Sequence, residues 1–391
     1  MSSAPVARVE ALDLLELLAR QGVSRVSGVP CSSMTGLINA AQAGVIVPYA
    51  NAPNEGEALA YGAGSWLGGG LTAILCQNSG LGNLYNCLTS LCLPYAIPTV
   101  ILCGWRGMPG MSDEPQHRVM GRLTPALFTA AGIEPSLLDV GVDPAGIVAK
   151  IDPNSRNTAA ILVSPGALRP ERALRSVIGQ RPQGELRRQF GNAVLDRREA
   201  IAFLSRLPSQ TSGIVVSTGL LSREYFAASD DSNLFCMAGS MGHAAALALG
   251  AHAQSGVAML AIEGDGSIMM RPQSLAFVGS EAPASFCHVV VDNGVHESTG
   301  GQASLAATCD LAAAAVAFGY RLAVDTADCA VAASAVELGL GGSGPVFVRL
   351  RIRPGGDVPP RIGIAFEDMA SRFRAFIRSA AVRSKVISGA A

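Results

Sequence analysis

Forty-eight consecutive residues, 58–105, carry no charged side chain. Charged groups almost never lie fully buried without a partner, so a stretch this long without them belongs to a membrane or to elements covered on every face. Three interruptions decide between the two. "GGG" at 68–70, "QNSGLGN" at 77–83 and "LPYAIP" at 93–98 break the stretch. They leave no run of about 20 apolar residues, the length a spanning helix needs. Buried strands and helices, or a subunit interface, are the expectation.

The rest of the chain shares this bias: 49% of residues are hydrophobic and only 15% charged, more apolar than an average soluble protein. A net charge of −1 without an extended basic stripe speaks against a nucleic-acid partner. The N-terminal segment has acidic residues in a helical pattern and no secretory apolar core. Nine cysteines, none closely paired, suit thiols of a cytoplasmic protein.

At 391 residues the chain has room for two domains of ordinary size. Hydrophobic periodicity predicts helices over 8–21, 33–40, 55–67 and 83–90, alternating with strands at 25–28, towards Tyr49, at 72–76 and at 99–103. Between 165 and 198 the sequence turns rich in Pro, Arg, Gln and Gly, as a linker does. A second alternating series follows, with a helix at 199–204 and strands at 213–217, 259–262, 288–291 and 346–350. A small surface helix is expected over 364–378. Strand–helix alternation implies α/β domains with open parallel sheets, whose ligands gather beyond the carboxyl ends of the strands. The boundary is placed at 180/181, giving domains 1–180 and 181–391.

Two polar residues stand out at such strand ends. Asp265, in "EGDG", follows a buried-looking strand between Gly264 and Gly266; Asn293 follows the next apolar strand and precedes Gly294. A carboxylate, an amide oxygen and a nearby main-chain carbonyl are hard ligands suited to Mg²⁺, with phosphate or water completing six positions. A magnesium-bridged diphosphate is the reading; an ordinary glycine turn is the alternative. "AGSMGHAAALALG" at 238–250 can open a helix close to a cofactor, yet it lacks the lysine of a P-loop and the full dinucleotide fingerprint. Glu55 starts a helix, where an acid commonly compensates the dipole, but a buried glutamate there can also hold a proton. Arg106, Gln116 and His117 form a polar island after the uncharged stretch, either a solvated loop or a pocket where arginine meets an anion and histidine moves a proton. His296 follows the candidate metal loop; His243 is intermediate, and His252 suits a helix surface or core. Ser32 and Ser33 can cap a helix or leave its amides to an anion. Cys31, with no adjacent base, suits packing or pocket lining. No zinc spacing and no GxSxG elbow occurs.

With these residues in place, the chain resembles the thiamine diphosphate-dependent decarboxylase family. "GDG" at 264–266 followed by "VVVDNG" at 289–294 is similar to the family's diphosphate and metal motif, GDG followed by an Asn-Asn pair, with Asp292 in place of the first asparagine. The blocks "GVPCSS" (28–33), "NEGEALA" (54–60), "QNSGLGN", "GWRGMPGMSDEPQH" (104–117), "GSMGHA" (239–244) and "DNGVHESTGGQ" (292–302) resemble the branch that decarboxylates 3-phosphonopyruvate. Its sulfopyruvate-decarboxylating relatives are the alternative. A carboligating enzyme and a non-catalytic interaction protein are the more distant readings.

The resemblance implies a pyrimidine-binding domain, then a diphosphate-binding domain, without a middle domain, and sites formed between subunits of a homodimer or homotetramer. It implies thiamine diphosphate and Mg²⁺ as cofactors. Asp265, Asn293 and the Val295 carbonyl would hold the metal; Gly239, Ser240, Met241, Gly264, Gly266 and Ser267 would line the cofactor, with Met241 supporting its bent form. Glu55 would bond the aminopyrimidine ring and promote formation of the thiazolium ylid. Ser32, Ser33 and Arg106 would bind the second anionic group of the 2-oxo acid, and His117 and His296 would transfer or orient protons. The product would be phosphonoacetaldehyde, in phosphonate natural-product biosynthesis.

Overall fold

The computed structural model describes residues 8–170, 183–207 and 210–387. The chain divides into two compact units, 1–63 with 70–179, and 64–69 with 180–391. The expected boundary at 180/181 falls within 171–182, outside the described residues.

The first unit is built on six parallel strands: β1 (Arg25–Gly28), β2 (Tyr49–Asn51), β3 (Thr72–Gln77), β4 (Val100–Gly104), β5 (Ser136–Leu138) and β6 (Ala159–Val163). Their order in the sheet is β2-β1-β3-β4-β6-β5. The uncharged stretch supplies β3 and β4, whose residues are almost all buried. Covered on both faces, they can be continuously apolar. Since β2 lies on one side of β1 and β3 on the other, the strand order reverses at β1, the kind of place where ligands gather beyond the carboxyl ends of an open parallel sheet. The segments after β1, β2, β3 and β4 carry Ser32 and Ser33, Glu55, Gly80 and Arg106 in turn.

The second unit has seven strands, β7 (Glu185–Gln189), β8 (Gly213–Val216), β9 (Leu234–Cys236), β10 (Met259–Gly264), β11 (Phe286–Asp292), and, after a two-residue ribbon β12 (Val295–His296) with β13 (Gln302–Ala303), β14 (Leu322–Thr326) and β15 (Val346–Arg351). The sheet runs β7-β14-β15-β11-β10-β8-β9. Here the reversal lies between β8 and β10, and the residues just beyond these two strands face the same crevice.

Two expectations need correction. Residues 165–198 are not wholly linker: Glu185–Gln189 pairs with β14 as a parallel edge strand, and its mostly exposed "ELRRQ" shows the charge typical of an edge. The C-terminal helix is not a small surface helix. It runs Phe366–Ile387 and buries Met369, Ala370, Phe373, Ile377 and Ala380, a stripe at helical spacing. Phe373 meets Phe235 of β9 with ring centroids 5.6 Å apart. Among the described residues no helix is long and apolar enough to cross a membrane.

Candidate functional site

In the first unit, Glu55 opens the helix Glu55–Leu67 and is 7% exposed. Its Oε2 accepts a hydrogen bond from Asn83 Nδ2 at 3.0 Å. Gly80 passes so close that a Cβ there would lie 1.9 Å from Glu55 Oε1. The carboxylate is thus held between an amide and a bare main chain, both supplied by "QNSGLGN". Neither Asn83 nor Gly80 was marked by sequence reasoning, although their block was.

Arg106, following β4, is fixed by Asp113: Nε donates to Oδ2 at 2.8 Å and NH2 to Oδ1 at 2.5 Å. Its NH1 donates to Ser32 Oγ at 2.6 Å. A bidentate pair of this kind orients the guanidinium plane and leaves donors for an anion. Asp113 also accepts from the Gly107 and Glu114 amides, and Arg106 holds its carboxyl far below the usual range. Ser32 and Ser33 do not cap the helix that follows: the cap position falls on Cys31 without a side-chain bond. Ser32 serves Arg106 instead, while Ser33 Oγ lies 3.1 Å from Cys31 Sγ. Gly104 makes room for both, since a Cβ there would sit 2.6 Å from each. Cys31 is buried, as packing implies, and burial raises its thiol pKa. His117 ends the turn Pro115–His117; among the described residues its ring forms no hydrogen bond to Arg106 or the serines.

In the second unit, a cavity is lined by Met241, Gly264, Asp265, Gly266, Ser267, Asn293, Val295 and His296. Gly239 and Ser240 precede Met241 in the turn that enters the helix Ala244–Ser255. Asp265 starts the short helix after β10 and is 4% exposed. Burial, then the charge of Asp292, raises its carboxyl pKa against the opposing bond from Ser304. Its Oδ2 accepts no hydrogen bond among the described residues. A buried carboxylate oxygen left bare is costly unless a cation or donor meets it, and this fits Mg²⁺. Asn293 Oδ1 accepts from the Val295 amide at 3.0 Å, which shapes the loop. Among the described residues no three His, Cys, Asp or Glu side chains gather as a metal cage; this donor set needs phosphate oxygens to complete it.

Asp292 has a different task. Its Oδ2 accepts from Arg349 Nε at 2.6 Å and its Oδ1 from the Gly294 amide. Arg349 also donates to the carbonyls of Cys309 and Ala306. His296 lies against Gly266, where a Cβ would come within 2.4 Å of its ring. His243 is fully buried, and burial lowers its pKa to about 4, so it is neutral near pH 7. His252 bonds the Val257 carbonyl at the helix end, a structural role. Thr218, Gly219 and Arg197 also line the cavity. Gly219, at φ 102°, completes a strand–glycine–helix pattern in "VVSTGLL" that could have been noticed; Arg197 gave no local signal.

Residues 217–350 match the family described as "Thiamine pyrophosphate enzyme, C-terminal TPP binding domain", so the second unit is a thiamine diphosphate-binding domain. The fold agrees: a thiamine diphosphate-dependent 4-hydroxybenzoylformate decarboxylase from Rhodococcus jostii superposes with TM-score 0.61 over 90% of this chain and 100% of its own, at 14% identity. A phosphonopyruvate decarboxylase from Streptomyces viridochromogenes is 40% identical over 94% of this chain and 95% of its own. A sulfopyruvate decarboxylase from Methanosarcina acetivorans is 27% identical over 75% and 78%. The chain belongs to the phosphonopyruvate decarboxylase family of thiamine diphosphate-dependent enzymes, lyases of 2-oxo acids.

Proposed function

We propose that this chain converts 3-phosphonopyruvate to phosphonoacetaldehyde and CO₂, with thiamine diphosphate and Mg²⁺. The observation that carries the proposal is the bare, buried Asp265 Oδ2 at the switch point of the second unit, in a chain 40% identical to a phosphonopyruvate decarboxylase along nearly its whole length. Asp265, Asn293 and the Val295 carbonyl would hold the metal, and Gly239, Ser240, Met241, Gly264, Gly266 and Ser267 would border the cofactor. Bound thiamine diphosphate supplies an electron sink for the pair released with CO₂.

The remaining work falls to side chains. Glu55 would hydrogen-bond the pyrimidine ring nitrogen, and Asn83 keeps its carboxylate aimed. Arg106, braced by Asp113, would bind the substrate's second anion together with Ser32 and Ser33. His117 and His296 are the candidates for moving or orienting a proton. The working assembly is a homodimer or homotetramer, and the setting is cytoplasmic phosphonate biosynthesis; the nine free cysteines support a reducing compartment.

The test is CO₂ release by purified protein with thiamine diphosphate and Mg²⁺, comparing phosphonopyruvate, sulfopyruvate and pyruvate and identifying each aldehyde. Preference for phosphonopyruvate supports the proposal. Preference for sulfopyruvate would transfer the chain's activity to the function carried by its 27%-identical relative.

A further inference from the structure

Beneath the cavity of the second unit runs a chain of buried polar groups whose side-chain bonds the proposed chemistry does not use. Tyr320 OH meets His288 Nδ1 at 3.0 Å, and His288 Nε2 meets Glu263 Oε1 at 2.7 Å. Ser267 Oγ donates to Glu263 Oε2 at 2.6 Å. The Gly242 amide donates to Ser267 Oγ at 3.0 Å, and Ser217 Oγ lies 2.8 Å from it. Glu263, His288, Tyr320 and Ser217 are fully buried and Ser267 is 3% exposed. Phe347 packs edge-on against both the His288 and Tyr320 rings.

Counting donors shows the direction. A hydroxyl has one proton and two lone pairs. With its proton given to Glu263, Ser267 accepts from Gly242 and Ser217, and nothing is left over. Its side chain is therefore not available to a diphosphate. It is a tie between the segment after β10 and the turn before the helix Ala244–Ser255. That turn needs a tie: Ser240 has φ 54° and Gly242 φ 90°, and a non-glycine residue in the left-handed region persists only when its surroundings hold it. Met241, which lines the cavity, sits between them.

We infer that Glu263, backed by His288, is a positioning residue that acts through Ser267 to fix the 240–242 turn and so the place of Met241 beside Asp265. The role of Met241 towards cofactor rests on the function proposed above; the clamp itself does not.

The two parts are tested separately. In cofactor-free protein, amide hydrogen exchange in peptides covering 239–244 should be at least about tenfold faster in Ser267→Ala and Glu263→Leu than in the parent, because the Gly242 amide loses its acceptor or that acceptor loses its anchor. Glu263→Gln keeps an oxygen for Ser267 and presents its NH₂ to His288 Nε2, so it should stay within about threefold. With saturating thiamine diphosphate and Mg²⁺ and phosphonopyruvate varied, the two disrupting variants should lose at least about tenfold in kcat while the KM for phosphonopyruvate changes less than about threefold. Glu263→Gln should rescue both readouts. Unchanged exchange in folded Ser267→Ala, or a Gln variant as impaired as the Leu variant, overturns the clamp. Accelerated exchange with unchanged kcat overturns its link to Met241. If Glu263→Leu does not fold, Ser267→Ala decides, since it leaves the Glu263–His288 contact in place. A parent protein that binds no thiamine diphosphate would refute the proposed function and leave the exchange result standing.

Discussion

Replacing Gly80 by alanine should disable Glu55 while leaving that residue itself in the sequence. Gly80 has φ −82°, a backbone conformation that any residue adopts, so alanine introduces no dihedral strain. The added Cβ would lie 1.9 Å from Glu55 Oε1 and 2.1 Å from its Cδ. Ordinary contact is about 3.5–4.0 Å, so the carboxylate must retreat by about 1.5 Å or more. Retreat breaks the 3.0 Å bond from Asn83 and carries the carboxylate off the line it would share with the pyrimidine. A misplacement of about 1 Å can cost about 100-fold, equivalent to about 2.7 kcal/mol of barrier. The fold itself should survive: alanine lowers the entropy of the unfolded chain by about 0.4–1 kcal/mol, which offsets part of the steric cost. The assay is hydrogen–deuterium exchange at the reactive thiazolium carbon of bound cofactor, alongside kcat and the cofactor Kd. We expect exchange and kcat to fall together by about 100-fold, with a Kd change below about tenfold. A Gly80→Ala protein that exchanges this proton at the parental rate would refute the reasoning, because the carboxylate would then work from a place the structure closes to it.

Glu55→Gln removes the carboxylate proposed to meet the pyrimidine while keeping its bulk, and the same exchange assay should show a loss of at least about 100-fold. Arg106→Ala should depress phosphonopyruvate turnover far more than cofactor Kd, which separate titrations of substrate and cofactor would reveal. Asp113→Asn should weaken the protein at neutral pH. Because the hydrogen bonds from Arg106 hold the Asp113 pKa well below its unfolded value, the pair's contribution is fully present above the unfolded carboxyl pKa of about 4 and is lost progressively as pH falls from there through the folded pKa; urea unfolding of parent and variant at pH 7 and pH 3 should show the difference shrinking. Thiamine diphosphate with Mg²⁺ at about 100 times Kd should stabilise the parent by about 2.7 kcal/mol, a rise of several degrees in Tm, and should leave Asp265→Asn unmoved. Cofactor-free Asp265→Asn should melt no lower than the cofactor-free parent, since it removes a buried charge whose raised pKa marks ionisation as unfavourable there.

Local sequence signals carry through to the structure. The helix at Glu55–Leu67 and the strand ends carrying Asp265 and Asn293 follow from apolar runs ended by glycine and a polar residue. The uncharged stretch correctly signalled buried β3 and β4. The braces were not legible: Asn83 lies 28 positions from Glu55, and Glu263 lies 25 from His288. Such partners meet only through the order of strands in a sheet, which periodicity does not encode. Asp113 is only seven residues from Arg106, yet "SDEP" reads as a solvated loop until the guanidinium is seen to fold back on it. The C-terminal helix is longer and better buried than its sequence suggests, because arginines interrupt its apolar stripe and their long stems can reach water from a packed helix.

Asp292 and Arg349 give the loop after β11 an inheritance of its own. An asparagine at position 292 would take from Arg349, 3% exposed, its nearest carboxylate and leave it two main-chain carbonyls and Asp325 at 3.8 Å, an acid already paired with Arg351; stripping a buried charge of its close partner is costly. Exchanging aspartate for asparagine here costs less when position 349 changes as well. Sequences that carry this loop should therefore vary at the two positions together, and a graft of "VVVDNG" into a relative should fail unless its arginine travels with it.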